Sequence, residues 1–217
     1  MDFGLETICA PNGKVAESSL AEGLHFWYDL PFMPYGVGWA FPRGQAISIG
    51  LGSYRGAQPM RRPLETFVRQ FDLHPASYHG TYLPYRMRSP VAGPVFLVGD
   101  AAGMCIGLTG EGIRPALYFG EVCGKIISEV LEGDWTLKEG LAQYAAIVRK
   151  HKAFFDVFSV AQEVLTRLPP AWIDRLAHIV VRERIQQWLF QRYWELTDTW
   201  MLLASNAQPL SGAIRLT

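Results

Sequence analysis

"FLVGDAAGMCIGLTGEGI", residues Phe96 to Ile113, decides how the rest of the chain is read. An apolar run ends in Gly99-Asp100. Two alanines and Gly103 follow, and then a second cluster of Gly107, Gly110 and Gly112. The run "VFLV" over 95–98 suits a buried strand, with Asp100 just past its end. A carboxylate in that position accepts hydrogen bonds from ligand hydroxyls, such as those of a ribityl chain or ribose. Ala101, Ala102 and Gly103 leave room beside it. Gly110 and Gly112 free the backbone, and Ile113 opens a helix. Helix starts present unpaired N–H groups and partial positive charge, which attract anionic or electron-rich groups. The stretch therefore reads as a grip for a polar chain beside an electron acceptor. A plain strand-to-helix turn is the other reading of "GDAAG".

The pattern downstream is helical. From Ile113, apolar or small residues recur at Leu117, Gly120, Cys123, Gly124, Ile127 and Leu131, which predicts one packed face. Pro115 fits only a first turn, where its missing N–H costs nothing, so the helix starts near Gly112. Gly133 supplies a stop. "TLKE", Thr136 to Glu139, has capping-box spacing ahead of Leu141, Tyr144 and Val148. Pro169-Pro170 breaks the following run, and a last helical region carries Trp188, Tyr193, Trp194 and Trp200.

Upstream, "LHFWYDL", "GVGWAFP" and "QAISIGLG" read as antiparallel strands between Gly/Pro breaks. "PLETFVRQF" reads as a short helix with a proline start. The fold expected is α+β or α/β in three segments. Residues 1–92 form an antiparallel sheet, 93–133 the strand-loop-helix, and 134–217 a helical region.

Composition limits the function classes. The chain has 217 residues, 49% of them hydrophobic and 18% charged, enough for a packed core. Twenty basic residues balance twenty acidic ones, which argues against a nucleic-acid partner. No window approaches the ~18 uninterrupted apolar residues of a bilayer span. The N-terminus lacks the basic-then-apolar order of a signal peptide. Cys9, Cys105 and Cys123 lack metal-ligand spacing, as do the five scattered histidines, so no metal is expected and a reduced, cytoplasmic setting is.

"FLVGDAAGMCIGLTGEGIRPAL" resembles the second flavin-binding motif of the geranylgeranyl reductase family, FAD enzymes of the p-hydroxybenzoate hydroxylase fold. "MPYGVGWAFPRGQAISIGLG" is similar to that family's substrate-domain pattern, with Trp39, Phe41 and Pro42 matching, and "GTYLPYR" also has the family's look. These stretches cover most of Tyr35 to Leu131. The resemblance implies a partial flavoprotein of that fold, with a substrate-domain sheet ahead of the second FAD-binding segment. It implies FAD contacts at Gly99, Asp100, Ala101, Ala102 and Gly103 near the ribityl chain and pyrophosphate. Thr109, Gly110, Glu111, Gly112 and Ile113 would lie near the isoalloxazine. Tyr35, Val37, Trp39 and Phe41 would line the path of an apolar isoprenoid or lipid substrate, whose double bonds receive hydride from the reduced flavin. NAD(P)H or another reductant supplies the electrons. No catalytic residue is assigned. Three positions depart from the family: Gly107 stands where it usually has proline, Val37 where it has tyrosine, and Arg43 where it has lysine.

The dinucleotide fingerprint that grips the ADP half of FAD is absent. "GLGSYRG", residues 50–56, is the nearest candidate, but its third glycine is one residue late and Pro59 and Pro63 follow, so it reads as a turn. The expectation is the C-terminal portion of a longer, truncated flavoprotein: a fragment, one product of a split gene completed by a separate N-terminal FAD-binding chain, or a misplaced start at Met1. A flavin monooxygenase or halogenase relative and a non-catalytic remnant are the alternatives. Glu111 reads as either a proton donor or a helix-dipole partner. The Trp-rich C-terminal helices read as core, a subunit contact or a peripheral membrane contact.

Overall fold

Alternating side chains and glycine-proline breaks build the first unit of the protein. The structure is a computed structural model describing residues 2–9, 20, 22–28, 30–56, 58–180, 182–197 and 215–216. It divides into two units. One comprises Met1–Tyr82, Thr166–Trp188 and Pro209–Thr217, the other Leu83–Leu165 and Leu189–Gln208.

The first unit is built on a sheet. Its strands are β1 (Asp2–Cys9), β2 (His25–Trp27), β3 (Gly36–Arg43), β4 (Ala46–Ser53), β5 (His79–Leu83) and β8 (Arg215–Leu216), in the order β5-β1-β4-β3-β2-β8. β1 pairs antiparallel with β4, β4 with β3, and β3 with β2, while β8 runs parallel beside β2. The expected strands in "LHFWYDL", "GVGWAFP" and "QAISIGLG" are present, and β1 is a strand that the periodicity had not singled out. Helix α1 (Arg61–Arg69) covers one face through Leu64, Phe67 and Val68, spaced three and four residues apart. Its proline stands third in the helix, two residues later than "PLETFVRQF" suggested. The Phe67 ring occupies the space over Gly38, where an added Cβ would come within 2.7 Å of it. Ile47, Ile49 and Leu51 of β4 complete this core. Because alternate residues face opposite ways, Val37, Trp39 and Phe41 lie on the other face.

The second unit starts with a short hairpin, β6 (Val91–Ala92) and β7 (Val95–Phe96). The buried strand expected over 95–98 is a correction. Only its first two residues pair, and Val95 is 51% exposed. Val98 is extended, but no described strand lies beside it to continue the ladder. After a single 3-10 turn at Gly99–Ala102 comes α2 (Ile113–Glu132), then α3 (Leu137–Leu165).

Both ends of α2 agree with their sequence signals. Gly112 is its N-cap and Gly133, at φ 89°, its C-cap. The Thr136 hydroxyl accepts from the Glu139 N–H and the Glu139 carboxylate accepts from the Thr136 N–H, a closed capping box. The packed face of α2 is a second correction. Pro115, Phe119, Cys123 and Ile126 are buried and pack with Tyr144, Val148 and Phe155 of α3. Of the expected face only Cys123 is buried; Leu117 and Leu131 are 69% and 81% exposed. The helix carries apolar residues on two sides, and periodicity alone cannot tell which one meets a neighbour.

The later helices are α4 (Pro170–Val180) and α5 (Glu183–Thr197). Trp200 lies outside the described residues. No helix among the described residues is long and apolar enough to cross a membrane, and none of their His, Cys, Asp and Glu side chains group as metal ligands.

Candidate functional site

In the second unit the backbone itself shapes the glycine loop. Gly99 and Gly103 both have positive φ, at 62° and 66°, so the 3-10 turn enters and leaves through left-handed residues. Gly103 also lies against the chain at Arg86, where an added Cβ would come within 2.0 Å of the carbonyl oxygen. This double requirement pins the turn and presents Asp100 on its exposed side. Ala101 is also exposed, while Ala102 is fully buried.

The second half of the motif closes on itself. The Ile106 N–H donates to the Glu111 carbonyl at 2.7 Å, and the Gly110 N–H donates to the Ile106 carbonyl at 3.0 Å. Gly110, at φ 68°, has nothing within 4 Å of where a Cβ would be. Thr109 is exposed, and its hydroxyl takes the Glu111 N–H at 3.3 Å. Gly112 then starts α2 with no side chain capping it. The Asp100 carboxylate faces that start, 3.8 Å from the position of a Gly112 Cβ. The sequence motif thus folds so that its carboxylate and its helix N-terminus meet. Ile113, 78% exposed, stands at the mouth of the same turn.

Two residues far along the chain, Gln162 and Tyr193, brace this loop, and neither carried a local signal. Gln162, buried in α3, accepts the Leu108 N–H at 2.6 Å. Leu108 has φ 69°, a conformation costly for a branched side chain, and this bond helps to hold it. Gly107 lies so close to α3 that an added Cβ would be 3.0 Å from the Phe158 carbonyl oxygen. That contact leaves little room for a side chain at this position. Glu111 is engaged on both oxygens by Arg114 and also receives the Tyr193 hydroxyl. Burial raises the Tyr193 pKa, and the bond to Glu111 raises it further, so the phenol stays protonated as a donor. Burial opposes the Arg114 charge, but the hydrogen bonds and charge of Glu111 more than offset it. Glu111 is therefore an anchor of the loop, with the Arg114 guanidinium also 4.5 Å above the Trp194 ring.

The residues singled out in the first unit build a different kind of surface. The register sets Trp39 opposite Gly50 and Val37 opposite Gly52. A Cβ on Gly50 would lie 2.1 Å from the Trp39 ring, and one on Gly52 would lie 3.1 Å from Val37. The Gly-x-Gly at residues 50–52 is thus the seat of an indole laid flat on the sheet. Phe41 stacks at 6.2 Å from Trp39, and Phe26 meets Phe41 edge-on at 5.2 Å. All are half-buried. On β1 and β4, Glu6 accepts the Ser48 hydroxyl at 2.7 Å, a polar pair that sequence reading passed over. Tyr35 differs from the others. Its hydroxyl donates to the Leu168 carbonyl at 2.7 Å, and the Arg55 guanidinium covers its ring at 3.5 Å. It ties the start of β3 to the segment ahead of α4.

The Asp100 carboxylate of the 3-10 turn faces the uncapped start of α2, and the first unit carries an aromatic sheet face. The fold is that of the p-hydroxybenzoate hydroxylase-like flavoproteins. The chain superposes on the geranylgeranyl bacteriochlorophyll reductase-like protein of Thermoplasma acidophilum with a TM-score of 0.65 at 19% identity, over 84% of this chain and 47% of that one. It superposes on Klebsiella pneumoniae HpxO, a structure complexed with FAD and uric acid, with a TM-score of 0.57 at 14% identity, over 92% and 52% of the chains.

By sequence the chain is similar to proteins named digeranylgeranylglycerophospholipid reductase. It is 27% identical over 194 residues to digeranylgeranylglycerophospholipid reductase 2 of Methanopyrus kandleri, covering 82% of this chain and 48% of that protein. It is also 27% identical over 165 residues to the digeranylgeranylglycerophospholipid reductase of Methanocaldococcus jannaschii, covering 71% and 42%. The chain spans about half the length of the curated relatives it matches. No family model matches it.

Proposed function

We propose that this chain supplies the substrate sheet and the ring-side loop of an FAD-dependent reductase that hydrogenates carbon–carbon double bonds of an isoprenoid or lipid chain. The observation that carries this reading is the Asp100 carboxylate facing the uncapped start of α2. The residues present fit FAD. Asp100 is placed to accept hydrogen bonds from ribityl hydroxyls, and Gly110 leaves open space for a flat ring to approach the backbone. The helix start offers N–H groups and positive potential to an electron-rich edge. FAD bound there, once reduced by NAD(P)H or another reductant, would supply hydride to one carbon of the double bond, with a proton from water or another group completing the addition at the other.

The side chains of this chain do the positioning. Gln162, Arg114 and Tyr193 hold the loop in one shape, so the N–H groups are oriented before a ligand arrives. Trp39, Phe41 and Val37 offer an apolar, half-buried face to a prenyl chain, consistent with the lipid substrates in the relatives' names. The half that grips the pyrophosphate is a separate structural requirement, met by a dinucleotide-binding segment on the same or another polypeptide. Two features support such a complement: the exposed Leu117 and Leu131 on α2, and the extended Val98 with no strand beside it among the described residues.

The test combines this chain with the part of the Methanopyrus kandleri reductase that it does not match, in the presence of FAD, a chemical reductant and a prenylated lipid. Mass spectrometry should show gains of two hydrogens per double bond, reduced when Asp100→Ala is used. A product gaining oxygen, formed only in air, would overturn the reductase reading in favour of a monooxygenase.

A further inference from the structure

Helix α4 has an apolar stripe that no described residue covers. Trp172, Leu176, Ile179 and Val180 recur at intervals of four, three and one, which puts them on one side of a helix. They are 55%, 38%, 43% and 42% exposed. Trp188, in the part of α5 that belongs to the same unit, is 58% exposed. The corner between the helices is closed by the Arg182 N–H donating to the Ile179 carbonyl. This much exposed apolar surface on one helix calls for an occupant.

Charge narrows the choice. Residues 166–188 hold Arg167, Arg175, Arg182 and Arg184 against Asp174 and Glu183, four positive to two negative, in a chain whose total is balanced. All four arginines are exposed. Arg175 also lies 5.5 Å from the Trp172 ring, a tryptophan-arginine pair of the kind that suits the boundary between headgroups and acyl chains. An amphipathic helix with a tryptophan-bearing apolar side and flanking arginines matches an anionic lipid surface. The helix is also fastened to the substrate sheet. The segment leading into it takes the Tyr35 hydroxyl at the Leu168 carbonyl and Arg55 at the Thr166 carbonyl, 2.7 Å and 2.8 Å.

We propose that α4, with Trp188 and its flanking arginines, is an interfacial helix that lays the protein on an anionic bilayer. Tyr35 and Arg55 hold that helix to the start of β3, the strand that carries Trp39. Lipid chains then enter from the surface on which the protein rests. The purpose of this docking rests on the lipid-reductase reading above, while the docking itself rests on the exposed stripe and its charges.

The test is sedimentation of the chain with vesicles of phosphatidylcholine alone and of phosphatidylcholine mixed with phosphatidylglycerol, with no flavin present. The expected result is binding to the anionic vesicles that weakens as salt is added. The double variant Leu176→Asp/Ile179→Asp should lower that binding by about 10-fold or more. Val157→Asp, at an exposed apolar position on α3, should leave it unchanged, and circular dichroism checks that each variant folds. Equal binding to neutral vesicles, binding that the double variant leaves intact, or no binding at all would overturn the proposal. So would a lipid-free dimer that the double variant dissolves, because the stripe would then be a contact between copies. A chain that binds vesicles but never takes up FAD keeps the docking and loses the flavin reading.

Discussion

The loop at residues 99–113 and the sheet face around Trp39 both depend on glycine, for opposite reasons. In the loop, glycine supplies conformation: Gly99, Gly103 and Gly110 adopt φ values near +65° that set the path of the backbone. In the sheet, glycine supplies volume: Gly50 and Gly52 are extended strand residues whose missing side chains make room for Trp39 and Val37. A backbone-built site is rigid, because its shape is the chain path. A seat filled by a half-buried ring can give way. Substitutions at the two kinds of glycine should therefore differ in both cost and readout.

The largest effect is expected at Gly103→Ala, which meets both a positive φ and a backbone carbonyl within 2.0 Å of its new Cβ. Strain and overpacking together should cost on the order of 3 kcal/mol, read as a lower chemical-denaturation midpoint. Gly50→Ala should cost less, about 1–2 kcal/mol, because the clashing atoms belong to a tryptophan ring that can swing outward. Its signature would be indole fluorescence shifted toward that of exposed tryptophan. If Gly50→Ala proves as damaging as Gly103→Ala, the two regions are not distinct in the way described. Gly110→Ala isolates conformation from volume, since its φ is positive and its surroundings are open. It should cost about 1 kcal/mol and leave tryptophan fluorescence unchanged.

The smallest effect concerns pH and the packing behind the loop. His151 is held below its ordinary value of 6.5, by burial first and by the Lys150 charge second. The unfolded chain then binds more protons than the folded one just below that value. Stability is full above the ordinary histidine range and declines as pH falls through it toward the lower folded value. His151→Phe should flatten that part of a melting-temperature profile; an unchanged slope would mean that the imidazole is not buried neutral.

Much of the loop was legible because its signals are local. Gly112 and Gly133 delimit α2, Thr136 and Glu139 form the capping box, and the spacing from Asp100 to Gly112 brings carboxylate and helix start together. The braces were not legible, since Gln162 and Tyr193 reach the loop across 54 and 82 residues of sequence, and no local pattern encodes such contacts. The buried side of α2 was misread for a related reason. Its stripe through Leu117, Gly120 and Leu131 is as regular as the one through Phe119 and Ile126, and only the packing of α3 chooses between them. In the sheet, the Gly-x-Gly was visible as a strand ending, but its use as a seat for Trp39 emerges only from the antiparallel register.

The central claim is that residues 99–113 form the ring-side half of an FAD site whose pyrophosphate half lies in a complementary segment. The most direct measurement is a fluorescence titration of FAD with this chain, with and without the unmatched part of the Methanopyrus kandleri reductase. Saturable quenching of flavin emission is expected with the two parts together, weak or no quenching with either alone, and a weaker response with Asp100→Ala. Quenching by the complementary part alone, unaffected by adding this chain, would contradict the central claim.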